Sequence, residues 1–145
     1  MRISDILRVK GNQVVTVRPG ADVNELLSVL AEHKIGAVIV SADGERVDGI
    51  VSERDVVRAL AGRGAGVLTE PVSNIHTTDV RSVSPDAPLD DVERLMTTHR
   101  FRHVPVMDGG RLAGVVSIGD VVKNRIDELE IERSSLEGYI TGERI

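Results

Sequence analysis

Apolar residues in this chain fall into short runs of two kinds, and the two kinds alternate. Val23, Leu26, Leu27 and Leu30 stand at i, i+3, i+4 and i+7, the stripe of an amphipathic helix, and Asp22 with Glu25 supplies a capping pair at its start. Leu89, Val92, Leu95 and Met96 keep much of that stripe further on, with Pro88 suited to a first helical turn. Around these helices lie short strand patterns at Val15–Val17, Ala37–Val40 and Gly49–Val51, and again at His103–Val106 and Gly114–Val116. Asp43-Gly44 and Asp108-Gly109-Gly110 supply the intervening turns. A further helix follows from about Ser52 and from about Ser117. The pattern predicts a strand, helix, strand, strand, helix unit of mixed α/β (α+β) class. Pro105 cannot donate to a ladder, which predicts that its strand lies at an edge or faces a ligand.

The unit occurs twice. Val14 to about Leu60 reappears from Val80 to about Ile126, pairing Pro19 with Pro85, His33 with His99, Val38 with Val104 and Val40 with Val106. Gly49-Ile-Val-Ser52-Glu-Arg-Asp55 then matches Gly114-Val-Val-Ser117-Ile-Gly-Asp120. Further back, Ile3-Ser4-Asp5-Ile6 is echoed by Val72-Ser73-Asn74-Ile75, so the first copy carries about three extra residues near Lys10 to Gln13. A duplication of this size predicts two similar halves about a pseudo-twofold axis, with paired clefts between them. The expected division is 1–66 for the first unit, 67–126 for the second and 127–145 for a C-terminal helical tail. Ala61-Gly62-Arg63-Gly64-Ala65-Gly66 lacks the ending of a phosphate-binding loop and follows a helix, and it reads as a flexible linker.

At 145 residues and 41% hydrophobic, the chain can close one ordinary core, and neither half is large enough to be comfortable alone. Its 18 basic and 23 acidic residues give −5, which argues against a general nucleic-acid or anionic-membrane surface but leaves room for a local anion pocket. Cysteine is absent, which removes thiolate chemistry and disulfides. The first residues hold no apolar leader region and no run approaches membrane-spanning length, so a soluble, cytoplasmic protein is expected.

The candidate chemistry lies in Ser52-x-x-Asp55 and Ser117-x-x-Asp120. Each is a capping box in its own right, with serine at the N-cap and the acid three residues on, and helix stability alone would explain both. In the functional reading, the same helix start walls a cleft. Its backbone N–H groups face an anion, and the carboxylate accepts both hydroxyls of a ribose diol. The recurrence of both boxes after Gly-apolar-apolar, in the same slot of a repeat, favours the second reading. His99 and His103 stand four apart, but a helix exit falls between them and no acid completes a set, so no metal site is expected. No nucleophile–base or paired-carboxylate arrangement supports catalysis, and the chain is not expected to be an enzyme.

The two units resemble a tandem pair of CBS domains, named after cystathionine β-synthase, which together make a Bateman module. The resemblance rests on Gly36-Ala-Val-Ile-Val40 followed by Gly49–Asp55, and on Arg102-His-Val-Pro-Val106 followed by Gly114–Asp120. It implies two pseudo-symmetric βαββα units packed sheet to sheet, with clefts for an adenosine-containing ligand such as AMP, ADP, ATP, NAD or S-adenosylmethionine. By that resemblance Ser52 and Asp55 hold the ribose in one cleft, and Ser117 and Asp120 in the other. Strand backbone takes the adenine, pointing to Val17, Gly36, Ala37 and Val38, with Val83 and Val104 as partners. At Gly36 the missing Cβ lets a flat base approach the main chain. Phosphates need cations, for which Arg54, Arg102 and His103 are the candidates. The first motif carries Glu53-Arg54 where the second has Ile118-Gly119, so the two clefts are expected to differ.

Val122, Ile126, Leu129, Arg133, Leu136 and Ile140 are spaced 4, 3, 4, 3, 4, a heptad-like seam on a charged helix running to about Tyr139. The seam docks either on the chain's own core or on a second subunit, and the resemblance implies a homodimer. The resulting expectation is a stand-alone energy or cofactor sensor that modulates an unidentified partner protein. The alternative is a ligand-free dimerisation module.

Overall fold

The computed structural model describes residues 1–11 and 13–141. Ten helices and strands follow one another: α1 (Ile3–Lys10), β1 (Thr16–Val17), α2 (Val23–His33), β2 (Ala37–Val40), β3 (Gly49–Ser52), α3 (Glu53–Arg63), α4 (Leu89–His99), β4 (His103–Asp108), β5 (Arg111–Ser117) and α5 (Ile118–Ile140). In the first unit β1 lies parallel to β2, and β2 antiparallel to β3, in the order β1-β2-β3. In the second unit β4 and β5 form an antiparallel pair.

The strand expected ahead of α4 shrinks to one bridge, Val83 to Val106. Pro105 accounts for this. It occupies the position of Ile39, which pairs with Thr16 in the first unit, but it has no N–H to give to the neighbouring strand. Its carbonyl still accepts from the Val83 N–H at 3.0 Å, and on the other side it pairs in register with Val115. Pro105 is buried and borders neither cleft, and its strand lies at the edge of a two-stranded sheet with only the Val83 bridge beyond it, the first of the two places expected from sequence.

The two units exchange their leading segments. Ile3 donates to the Ala87 carbonyl, Ser4 to Pro85 and Leu89 to Met1, so α1 docks on the second unit. Val72 donates to Ala21, Ser73 to Pro19 and Val23 to Glu70, the same three bonds in mirror order. Two cores result. Ile3, Ile6 and Leu7 are buried with Leu89, Val92, Val104, Val106 and Val116, while Val72 is buried with Val17, Val23, Leu26, Val38 and Val51. The motif glycines make this possible. A Cβ on Gly114 would fall 2.6 Å from Leu7, and one on Gly49 would fall 2.7 Å from His76 and 2.9 Å from the Thr77 carbonyl.

The expected linker is ordered instead. α3 continues through Ala61-Gly62-Arg63, Gly64 turns the chain at φ +77°, and Ala65–Thr69 forms a 3-10 helix. The alternating small residues look linker-like in sequence, but Val67 is fully buried and anchors the segment. At the other end α5 continues unbroken from the second motif to Ile140, fastened to α4 by Arg125, which bonds Asp90, Glu93 and Glu128. The seam does not dock on the chain's own core: Val122, Ile126 and Leu129 are 51%, 50% and 56% exposed. No helix among the described residues is long and apolar enough to cross a membrane.

Candidate functional site: two unequal clefts between the units

Both motif helices begin as capping boxes. Ser52 Oγ accepts from the Asp55 N–H at 3.4 Å, and Asp55 Oδ2 accepts from the Ser52 N–H at 2.8 Å and from its hydroxyl at 3.1 Å. Ser117 and Asp120 do the same at 3.2 and 2.9 Å. The first helical N–H in each case goes to the carbonyl just ahead of a strand, Glu53 to Gly36 before β2 and Ile118 to Arg102 before β4. The helix-stabilising role is thus real, and two of the first-turn N–H groups on each helix are already taken. What separates the motifs is the space in front of them.

In front of Ser52 and Asp55 lies a cavity of about 410 Å³, within the range of small-ligand pockets. The first unit contributes Gly36, Ala37, Ile50, Ser52, Glu53, Arg54, Asp55 and Arg58. The second unit closes the cavity with Thr77, Asp79 and the run His99–His103. Four arginines therefore converge here: Arg54, Arg58, Arg100 and Arg102. Among the described residues none of the four pairs with a carboxylate. Arg100 is held in an unusual way. It ends α4 in the left-handed region at φ +57°, a conformation that costs a side-chain-bearing residue about 1–2 kcal/mol. His99 stacks on Phe101 at 5.5 Å on the same wall.

In front of Ser117 lies the pseudo-symmetric counterpart, about 330 Å³, walled by Lys10, Gly11, Gln13, Val14, Val15 and Lys34–Val38 from the first unit and by His103, Val115 and Ser117 from the second. Lys34 repeats the left-handed helix end of Arg100, at φ +54°. Asp120 does not line this cavity. Lys10 Nζ stands over it, 2.6 Å from Asp120 Oδ2 and 2.8 Å from the Val115 carbonyl. Burial works against the Asp120 charge, but the bonds from Lys10 and Ser117 outweigh it and hold the carboxyl below its ordinary range.

Ala37 and His103, equivalent in the repeat, each pair with the motif serine of their own unit and border both cavities. Burial lowers the His103 pKa, helped by the charges of Lys10 and Arg102 against Asp120. Burial thus works against the charged form of His103, the form in which it would meet a phosphate. Arg54 and Arg102 do face the Ser52–Asp55 cavity. Of the strand residues tied to adenine, Gly36 and Ala37 border both cavities and Val38 only the second. Val17, Val83 and Val104 line neither; strand alternation turns Val17 and Val104 into the cores, and Val83 packs against the second. A Cβ on Gly36 would meet only Glu53, at 3.8 Å, so no packing contact requires glycine there. Sequence reasoning missed Arg58, Arg100, Phe101, Thr77 and Lys10. The repeat carried a signal for the last, since extending the shift between Ile3 and Val72 sets Lys10 opposite Asp79.

A family model for the CBS domain matches the chain twice, over residues 3–62 and 72–127. The chain belongs to the CBS-domain family. Among solved structures, a CBS-domain-containing protein of Agrobacterium tumefaciens is 48% identical with a TM-score of 0.82, covering 86% of this chain and 99% of that one. A CBS domain protein of Pyrobaculum aerophilum, solved in complex with AMP, is 30% identical with a TM-score of 0.78, covering 92% of this chain and 99% of that one. The CBS domain-containing protein YhcV of Bacillus subtilis is 31% identical over 124 residues, covering 86% of this chain and 87% of that one. The match supports the two-unit CBS fold with its C-terminal helix, as the repeat implies.

Proposed function

We propose that this CBS pair is a regulatory module that binds an adenosine nucleotide through its phosphates in the Ser52–Asp55 cleft. The observation that carries this is the convergence of four unpaired arginines on one cavity beside a capping-box carboxylate. Arginine clusters suit phosphate oxygens, which accept the forked N–H groups in pairs. The same cluster repels a sulfonium cation, so AMP, ADP, ATP or NAD is favoured over S-adenosylmethionine. The AMP complex of the Pyrobaculum aerophilum relative supports the ligand class. Asp55 presents its Oδ1 to the ribose diol while Oδ2 stays with the cap, and Gly36 leaves room for the base against the strand.

Because residues of both units wall the cavity, a bound nucleotide ties the halves together and alters how the chain presents itself to a regulated protein; by linkage that partner alters nucleotide affinity in return. The exposed seam on α5 favours a homodimer as the working form, which sedimentation equilibrium checks by returning twice the 15.7 kDa chain mass. Thermal shift against AMP, ADP, ATP, NAD and S-adenosylmethionine tests the nucleotide reading. The phosphate-bearing ligands raise the melting point and S-adenosylmethionine does not. A flat response to every phosphate-bearing ligand rejects the reading in favour of a ligand-free dimerisation module.

A further inference from the structure

We propose that Lys10 is a built-in occupant of the second cleft, so that this chain takes one nucleotide, at Ser52 and Asp55, and not two. The inference rests on the nucleotide reading of the first cleft, and the test below separates the two. Its basis is a difference between equivalent positions. In the first unit the Ile50 carbonyl is satisfied by the Thr77 N–H at 2.8 Å, as the leading segment crosses β3 in extended form. That arrangement leaves Asp55 bonded only to its own cap and facing the cavity. In the second unit the leading segment is the longer helix α1, and its last residue sends an ammonium into the same place. Lys10 satisfies the Val115 carbonyl, which is the counterpart of Ile50, and in the same stroke grips Asp120.

The ammonium bonds Asp120 Oδ2, the oxygen that also holds the cap, so it competes with a ribose diol for the space beside the carboxylate and for its charge, both being donors. A nucleotide entering this cleft must first displace a charge-assisted bond and leave the Val115 carbonyl without its donor. Lys10 is held where it is by packing rather than chance, since Ile3, Ile6 and Leu7 of the same helix are buried in the second core. The pair is only partly shielded, with side-chain exposures of 41% and 23%, so the barrier is modest. It weakens the second cleft by about ten- to a hundredfold relative to the same cleft without Lys10.

Isothermal titration with AMP on the full chain decides it. The wild type takes one AMP, lost in Asp55→Ala. Lys10→Ala takes a second AMP, which Asp120→Ala in that background removes. Lys10→Arg, which restores a cation at the same position, stays at one. Two sites of comparable affinity in the wild type, or a single site in Lys10→Ala, overturn the inference while leaving the first-cleft reading intact. Weaker binding in a second site on removal of Lys10 also overturns it, by making Lys10 a phosphate ligand. If the wild type takes none and Lys10→Ala takes one through Asp120, the occupancy of the second cleft by Lys10 stands, and the first-cleft reading falls together with the count of one. If neither takes any, both fall.

Discussion

The two clefts are built by the same repeat, with the same serine, the same aspartate and the same capping bonds, yet they present opposite chemistry. One opens a carboxylate toward four unpaired arginines, and the other covers its carboxylate with a lysine. The serine and aspartate that the two motifs share therefore do not make the two clefts alike. The arginines come from α3 and from the corner between α4 and β4, and the lysine comes from the segment leading into the first repeat, which packs on the opposite unit. The leading segment is a short 3-10 turn in one case and an eight-residue helix in the other.

The largest expected effect breaks the exchange of leading segments between the units. Ile3 is fully buried in the second core, although it belongs to the leading segment of the first unit. Ile3→Ala removes about 2–5 kcal/mol of folding stability. Val72→Ala, its counterpart in the first core, removes less because fewer methyl groups are lost. Chemical denaturation checks both. A single cooperative transition in each variant would mean that the units fold as one body, whereas a biphasic curve would assign each leading segment to the unit it packs on.

Next in size are the two aspartates. Asp55→Ala lowers nucleotide affinity by about ten- to a hundredfold, or about 1.5–3 kcal/mol. Asp120→Ala leaves nucleotide affinity nearly unchanged and costs about 0.5–2 kcal/mol of stability through the lost cap bond. Equal losses of affinity in the two variants would erase the distinction between the clefts.

These cases mark how far the sequence could be read. The repeat, the helix stripes, both capping boxes and the pairing of β2 with β3 are local patterns, and they follow from spacing and turn chemistry. Arg54 and Arg102 were also legible, being adjacent to the motifs. Arg58 and Arg100 were not, because both stand outside the motifs: Arg58 is one turn beyond Arg54 on α3, and Arg100 ends α4 of the other unit. Val17 and Val104 line neither cavity, because alternation sends their side chains to the cores, and their expected part was one of backbone alone. Lys10 was hidden by the three extra residues after it, which blur the repeat where the two clefts diverge.

A smaller effect separates ligand binding from folding. Arg100 and Lys34 both end their helices in the left-handed region, at φ +57° and +54°. Glycine adopts that conformation without steric cost, so Arg100→Gly and Lys34→Gly each stabilise the fold, by about 0.5–1 kcal/mol once the added unfolded-state entropy is counted. Only Arg100 lines the cavity with the unpaired arginines. Arg100→Gly should therefore raise the melting point of the free protein while weakening nucleotide binding several-fold, and Lys34→Gly should raise it with binding intact. A loss of binding in both would assign the arginine wall no special part.

The smallest effect sharpens the comparison through acid. His103 sits between the clefts with its pKa lowered, chiefly by burial and then by Lys10 and Arg102, against the pull of Asp120. The native protein thus resists protonation at a pH where the unfolded chain accepts it, and stability falls as the pH drops below the ordinary histidine value of 6.5 toward the native one. Asp120 acts further down. Its lowered pKa contributes stability that is present at neutral pH and is lost as the pH falls from 3.8 through the native value. Lys10 feeds both shifts, in opposite senses for their consequences. Removing it lets His103 take a proton more readily, which softens the first loss, and strips Asp120 of its strongest donor, which forfeits part of the second contribution. Melting curves of wild type and Lys10→Ala should converge between neutral and mildly acid pH, with the His103 imidazole resonance titrating at higher pH in the variant. An unmoved His103 titration would mean that the ammonium does not stand over Asp120 in solution, and the two clefts would then differ in the arginines alone.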